Sequence, residues 1–239
     1  GTSPGAKVWF NLSQAFARAG WRTVSDVPSD EADWEEGRRF YGFDQMYDAR
    51  NVGYQGPRFS YARIPDQYTF RQFADRELKR PDRGPVMAEI DLVSSHTPWT
   101  PLPKLVPWSR LGDGSVYDGM RPSHTSLLEL LGGPDQQRNY ARSIQYSLRS
   151  LVSFVRHAHD DNLVMVVLGD HQPNTNVSGT GVSHDVPISL IAHDRSVLDR
   201  IRSWGWTPGL RPDADGPVMP MDHFRDRFLG AFDTDPATR

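Results

Sequence analysis

Residues 163–168 (Leu-Val-Met-Val-Val-Leu) form an unbroken apolar run that stops at Gly169-Asp170-His171. Such a run is far below the ~18 apolar residues of a membrane helix and reads as a strand buried on both faces. A strand of that kind belongs to a largely parallel sheet covered by helices, because only helices on both sides remove both faces from water. Its exit, a carboxylate followed by an imidazole, then falls where open α/β sheets bind ligands.

The rest of the chain alternates in the same way. Leu12, Ala15, Phe16 and Ala19 recur at helical spacing before Gly20. A short strand is predicted over 21–25, a polar loop over 28–37, and a second short strand around Gly42-Phe43-Asp44. Residues 51–64 are Gly- and Pro-spaced and read as irregular. Asp66 is placed to cap a helix whose inner face is Phe70, Phe73 and Ala74. Residues 86–93 alternate as a strand and lead into Ser94-Ser95-His96-Thr97-Pro98.

Residues 99–134 are rich in Pro, Gly and Trp. This is long for a loop in a compact domain, so it is expected to hold a small helix over 126–131 and to cover a site. The strongest helix pattern spans 136–159, with Tyr140, Ile144, Leu148, Leu151, Val152 and Val155 as its apolar stripe. After the apolar run come a polar loop over 172–185 and a strand over 186–192. Two further helices follow, capped by Asp194 and Asp222. The expectation is one α/β domain over 1–239, with a mostly parallel central sheet flanked by helices on both faces.

Composition narrows the chemistry. A net charge of -3 gives no basic footprint for nucleic acid. The absence of Cys removes disulfides, thiolate metal sites and a Cys nucleophile. What remains are four predicted strand exits carrying polar chemistry, expected to lie along one edge of the sheet: Asp26, His96, Asp170-His171 and His193-Asp194. A carboxylate and a neutral imidazole are good ligands for Zn²⁺ or Mn²⁺. Each group also has a plainer role: Asp194 as a helix cap, His96 as a packing residue beside Pro98, and His124, His157, His159 and His223 as solvated or helix-end residues. Glu89 and Asp91 read most simply as partners of Arg.

In combination these residues resemble a known family. Val166-Val167-Leu168-Gly169-Asp170-His171 resembles the strand and Asp-His pair of the alkaline phosphatase and sulfatase superfamily. Ser94-Ser95-His96-Thr97-Pro98-Trp99 resembles the His-x-Pro segment of sulfatases and lipoteichoic acid synthases. His184-Asp185-Val186-Pro187-Ile188 is similar to the Val-Pro strand that follows the Asp-His loop. The helix from Tyr140, and Ala19-Gly20-Trp21-Arg22-Thr23, match further segments in the family's order. The Gly-Asp-His form fits the lipoteichoic acid synthase-like branch best.

The resemblance implies an alkaline phosphatase-like fold and an enzyme acting on phosphate or sulfate esters, lipid- or glycan-linked ones among them. It implies a divalent metal ion (Mn, Zn, Mg or Ca) held by Asp170 and His171. His96 would hold the substrate oxyanion or donate a proton. His184 would be a distal metal ligand, although in a parallel sheet a residue preceding its strand lies at the wrong end. The family's hydroxyl nucleophile and its first carboxylate ligand precede the segment matching 12–23, and only eleven residues stand before Leu12. Thr2-Ser3-Pro4 lies too close to Leu12 to be that nucleophile box. The expectation is therefore a C-terminal catalytic part that lacks an N-terminal segment of the same protein. That protein would be a membrane-anchored bacterial one with this domain in the cell envelope. The alternative is a noncatalytic extracytoplasmic domain that binds a glycan or partner through its aromatic segment 99–117.

Overall fold

The computed structural model describes residues 10–59, 63–120 and 135–233. They fall into two compact units, Gly1–Ala158 and His159–Arg239. The expected helix over 126–131, His124 and Thr2-Ser3-Pro4 lie outside the described residues.

The first unit is built on a parallel three-stranded sheet, β1 (Arg22–Val27), β2 (Gln45–Asp48) and β3 (Val86–Ile90), in the order β2-β1-β3. Val24 pairs with Gln45 and Ala88, and Asp26 with Tyr47 and Ile90, so all three strands leave the sheet at the same end. Being central, β1 buries Thr23, Val24, Ser25 and Asp26. Its polar side chains therefore need partners. Thr23 finds one in Asp44, whose Oδ2 accepts from the Thr23 backbone N–H at 2.8 Å and from its hydroxyl at 3.1 Å.

Helix α1 (Leu12–Arg18) opens with a capping box: Asn11 Oδ1 accepts from Gln14 N at 2.9 Å. Gly20 follows at φ +81°, the left-handed conformation that its position predicts. Helix α2 (Glu35–Tyr41) begins inside the stretch read as a loop. Its signal is short and weak, because the helix is held by Trp34 lying over Gly37, where a Cβ would sit 2.2 Å from the ring.

Helix α3 (Asp66–Phe73) is buried almost throughout and continues as a π-helical turn, Ala74–Leu78. Asp66 does not cap it. Pro65 is the N-cap residue, and the Asp66 carboxylate points elsewhere. From the π-turn, fully buried Glu77 takes a bidentate pair from Arg22 (2.7 and 2.9 Å) and a 2.6 Å bond from the Tyr47 hydroxyl. Burial works to raise the Glu77 pKa, but these bonds outweigh it and hold the carboxylate below its usual range.

Helix α4 (Gln136–Ala158) packs on α3, with Phe154 stacked on Phe70 at 4.7 Å. Its buried face is not the aliphatic stripe. Leu148 and Val152 are 41% and 38% exposed, while Ser143, Tyr146, Ser147, Ser150, Leu151 and Phe154 are buried. Small serines let the helix approach α3, whose Phe70 meets Phe154 and whose Asp66 meets Ser147.

The second unit contains β4 (Val164–Leu168) and β5 (Ile188–Ala192), paired antiparallel as a two-stranded sheet. This corrects two expectations. The apolar run is not the buried centre of a parallel sheet: Val164 is 41% and Leu168 46% exposed, and no residue of β4 is fully buried. Nor do all four exits share one edge, because Val164 pairs with Ala192 and Leu168 with Ile188. Periodicity reports apolarity and is silent on strand direction, so a two-sided apolar run mimicked a parallel strand.

Short α5 (Thr175–Ser178) lies in the β4–β5 connection. Asp194 caps α6 (Arg195–Arg200), accepting from Ser196 N at 2.8 Å. Asp222 caps nothing: it lies within a 3-10 turn, Met221–His223, that leads into α7 (Phe224–Phe232). Trp204 centres this end, with Trp206 at 5.1 Å, Phe224 at 6.2 Å and the Arg227 guanidinium 4.8 Å over its ring. Among the described residues, no helix is long and apolar enough to cross a membrane.

Candidate active-site residues

In the first unit the sheet delivers Asp26, Asp48 and the segment after β3 to one end. The Asp91 N–H donates to Asp26 O at 2.9 Å, carrying the β1–β3 pairing past the end of β3. The chain then turns: Val93 and Ser94 are buried and His96 is exposed. The His96 N–H closes the turn on Val93 O at 3.1 Å. His96 Nδ1 lies 2.5 Å from Thr97 O. A carbonyl oxygen only accepts, so Nδ1 carries the proton.

The turn has two supports. Trp99 Nε1 donates to Ser95 O at 2.7 Å, and the Ser94 N–H donates to Asp66 Oδ1 at 2.9 Å. The aromatic segment after it is packed inward: Trp99 and Tyr117 are buried. Trp108 stacks on His157 at 4.4 Å and donates to Ser153 Oγ at 2.9 Å. Gln67 pins this segment, exchanging amide bonds with the Val106 backbone at 2.8 and 3.0 Å.

In the second unit Asp170 and His171 stand exposed beyond β4. Asp170 Oδ1 accepts from the His171 N–H at 2.9 Å, which turns the chain so that adjacent side chains meet. His171 Nδ1 lies 2.7 Å from Gln172 O and therefore bears the proton. The remaining nitrogen, Nε2, stands 3.4 Å from Asp170 Oδ2. Two donors on one tetrahedral ion at ~2.0–2.2 Å would lie about 3.3–3.6 Å apart. The spacing and the tautomer thus suit a shared cation, and the backbone carbonyl plays the orienting role that metal-bound imidazoles need.

His184 precedes β5, and antiparallel pairing brings it to the same end of the sheet as Asp170 and His171. The Gly169 N–H donates to Pro187 O at 3.2 Å there, and the Gln172 amide reaches Asp185 O. His193 leaves at the opposite end, 3.7 Å from Asp161. Among the described residues, no group of three or more His, Cys, Asp or Glu is gathered to hold a metal.

Sequence reasoning missed the pairings of buried polar groups in the first unit: Asp66 with Ser94 and Ser147, Glu77 with Arg22 and Tyr47, and Asp26 with Gln72. Pro65-Asp66 looked like a helix start, and that reading hid the direction of the carboxylate.

No family model and no curated protein matches the sequence. Solved structures do match in fold. The lipoteichoic acid synthase LtaP from Listeria monocytogenes aligns at TM-score 0.51 and 19% identity, over 75% of this chain and 45% of that one. A protein in the alkaline phosphatase superfamily from Vibrio parahaemolyticus aligns at TM-score 0.51 and 18% identity, over 77% of this chain and 41% of that one. This chain thus spans less than half the length of either structure. Its α/β architecture, with a parallel sheet flanked by helices, is the alkaline phosphatase-like fold that lipoteichoic acid synthase LtaP shares.

Proposed function

We propose that this chain is part of the catalytic domain of a metal-dependent hydrolase or transferase acting on phosphate or sulfate esters, as in sulfatases and phosphoglycerol transferases. The observation that carries the reading is the Asp170–His171 pair: 3.4 Å between Oδ2 and Nε2, with Nδ1 protonated against Gln172 O. Asp170, His171 and His184 would hold the divalent ion, which would supply charge neutralisation for the transferred group. His96 would meet the substrate oxyanion, donating to it as imidazolium or accepting a proton as neutral imidazole.

Two ligands and a distal His do not close a coordination sphere, and no nucleophile is assigned within the described residues. The reading therefore includes a further segment of the same protein that supplies both. The substrate would be lipid- or glycan-linked, and the domain would lie outside the membrane of a bacterial cell. The alternative, glycan binding through residues 99–117, is disfavoured by the inward packing of Trp99 and Tyr117.

Titration calorimetry with Mn²⁺ and Zn²⁺, beside an assay on p-nitrophenyl phosphate, tests the proposal. The 239-residue chain is expected to bind one ion weakly, to lose that binding in His171→Ala, and to show no turnover. Equal metal affinity in Asp170→Ala and His171→Ala would remove the metal site. Robust turnover abolished by Thr2→Ala would place the nucleophile in this chain.

A further inference from the structure

We infer that Trp34, with Asp33 and Arg38 beside it, is a subsite for one pyranose ring of a neutral glycan. Such a subsite needs neither a metal ion nor a nucleophile, so its failure and that of the metal site are separate outcomes. Trp34 is the N-cap residue of α2 but makes no side-chain cap bond. Its indole lies back over the first turn instead. A Cβ on Gly37 would sit 2.2, 2.2 and 2.6 Å from Cδ2, Cε3 and Cε2 of that indole. The missing side chain is therefore what lets the ring lie flat on the helix. One face of the ring is covered in this way, yet Trp34 remains 43% exposed, so its outer face meets solvent. Tyr41 stands 5.7 Å away, and exposed Phe40 lies 4.9 Å from Tyr41, which extends the aromatic strip.

An open ring by itself does not choose a ligand; the charges next to it do. Asp33, adjacent in the chain, stands between two guanidinium groups, with Arg38 Nη2 at 3.5 Å and Arg50 Nη2 at 3.6 Å. Both distances exceed the ~2.7–2.9 Å of a charge-assisted hydrogen bond. The Asp33 charge is thus balanced while its oxygens keep room to accept. Arg50 is committed to Asp48, at 2.7 and 3.1 Å, whereas exposed Arg38 has N–H groups to donate. A flat apolar face edged by an acceptor and a donor suits a pyranose, whose ring C–H groups make an apolar face and whose hydroxyls take either role. A lipid surface fits less well, because Asp33, Glu35 and Glu36 offset Arg38 and Arg39 and leave no net positive charge for anionic headgroups. A protein partner fits less well too, because the centre of such an interface is depleted of charged residues.

The test follows the Trp34 indole N–H resonance of the 239-residue chain during titration with cellotriose and, separately, with phosphatidylglycerol vesicles. Cellotriose is expected to shift that resonance weakly but saturably, and the vesicles to leave it in place. Gly37→Ala keeps the Trp34, Asp33 and Arg38 side chains and favours the helix, but its Cβ lifts the indole off α2. Cellotriose binding is expected to vanish in that variant. Asp33→Ala, at an exposed position, keeps the ring and removes the acceptor. Its affinity is expected to fall about tenfold, the size of effect for one hydrogen bond to a charged group. A Trp34 resonance that ignores cellotriose overturns the inference, as does wild-type affinity in both variants. A response to the vesicles alone overturns it as well and makes the aromatic strip a membrane contact. Should Gly37→Ala fail to fold, Asp33→Ala decides: a tenfold loss upholds the subsite and unchanged affinity removes it.

Discussion

Asp26 sits without exposed surface near the end of the central strand, and Gln72 of α3 donates to its Oδ2. Asp26 Oδ1 and Gln72 Oε1 are both buried and have no partner. A single proton on Oδ1 would serve both atoms by closing a two-bond acid–amide ring. Burial pushes the Asp26 carboxyl well up, Gln72 and Arg76 oppose this, and Asp91 and Asp48 add to it. A carboxyl whose folded pKa lies above its unfolded value of about 3.9 holds its proton better when folded. Stability then falls as pH rises from about 4 towards the folded pKa, by at most about 1.4 kcal/mol per pH unit. Asp26→Asn builds the same ring without a proton. It is therefore expected to be more stable than the wild type at pH 8, with the difference closing near pH 4, as read by urea unfolding across pH. A constant offset at every pH would show that Asp26 is ionised in the folded chain.

At the scale of elements, α4 shows how a helix chooses its inner face. Its aliphatic residues suggest one stripe, yet the buried positions are Ser143, Ser147 and Ser150 with Tyr146, Leu151 and Phe154. The reason lies on the partner. Helix α3 presents Phe70 to Phe154 and Asp66 to Ser147, and only small residues admit both contacts at close range. Ser150→Leu is expected to cost about 1–3 kcal/mol by overpacking, whereas Leu148→Ser should stay within about 0.5 kcal/mol. Denaturant midpoints measure both; the opposite order would return the core to the aliphatic stripe. Helix propensity and spacing located this helix, but the rotation about its axis was set by a neighbour some eighty residues upstream.

At the scale of the whole chain, strand direction decides which histidines can serve the Asp170–His171 pair. In an antiparallel pair, the start of β5 lies beside the end of β4. His184 is thereby moved from the wrong end to the right one, and His193 the other way. His184→Ala is accordingly expected to weaken Mn²⁺ binding several-fold, while His193→Ala leaves it unchanged, in calorimetric titrations run side by side. Loss of binding in His193→Ala would contradict the register.

The sequence by itself determined the α/β class, most of the elements near their places, the exits at Asp26, His96 and Asp170-His171, and the Asp194 cap. These follow from local rules: periodicity, turn chemistry, and the polar residue that ends an apolar run. Tertiary structure alone decided that β4 and β5 run antiparallel, that α4 turns its serines inward, and that the Asp66 carboxylate leaves its own helix for Ser94 and Ser147. Each of these depends on a partner distant in the chain, and an apolar or polar side chain carries no mark of which partner it will meet.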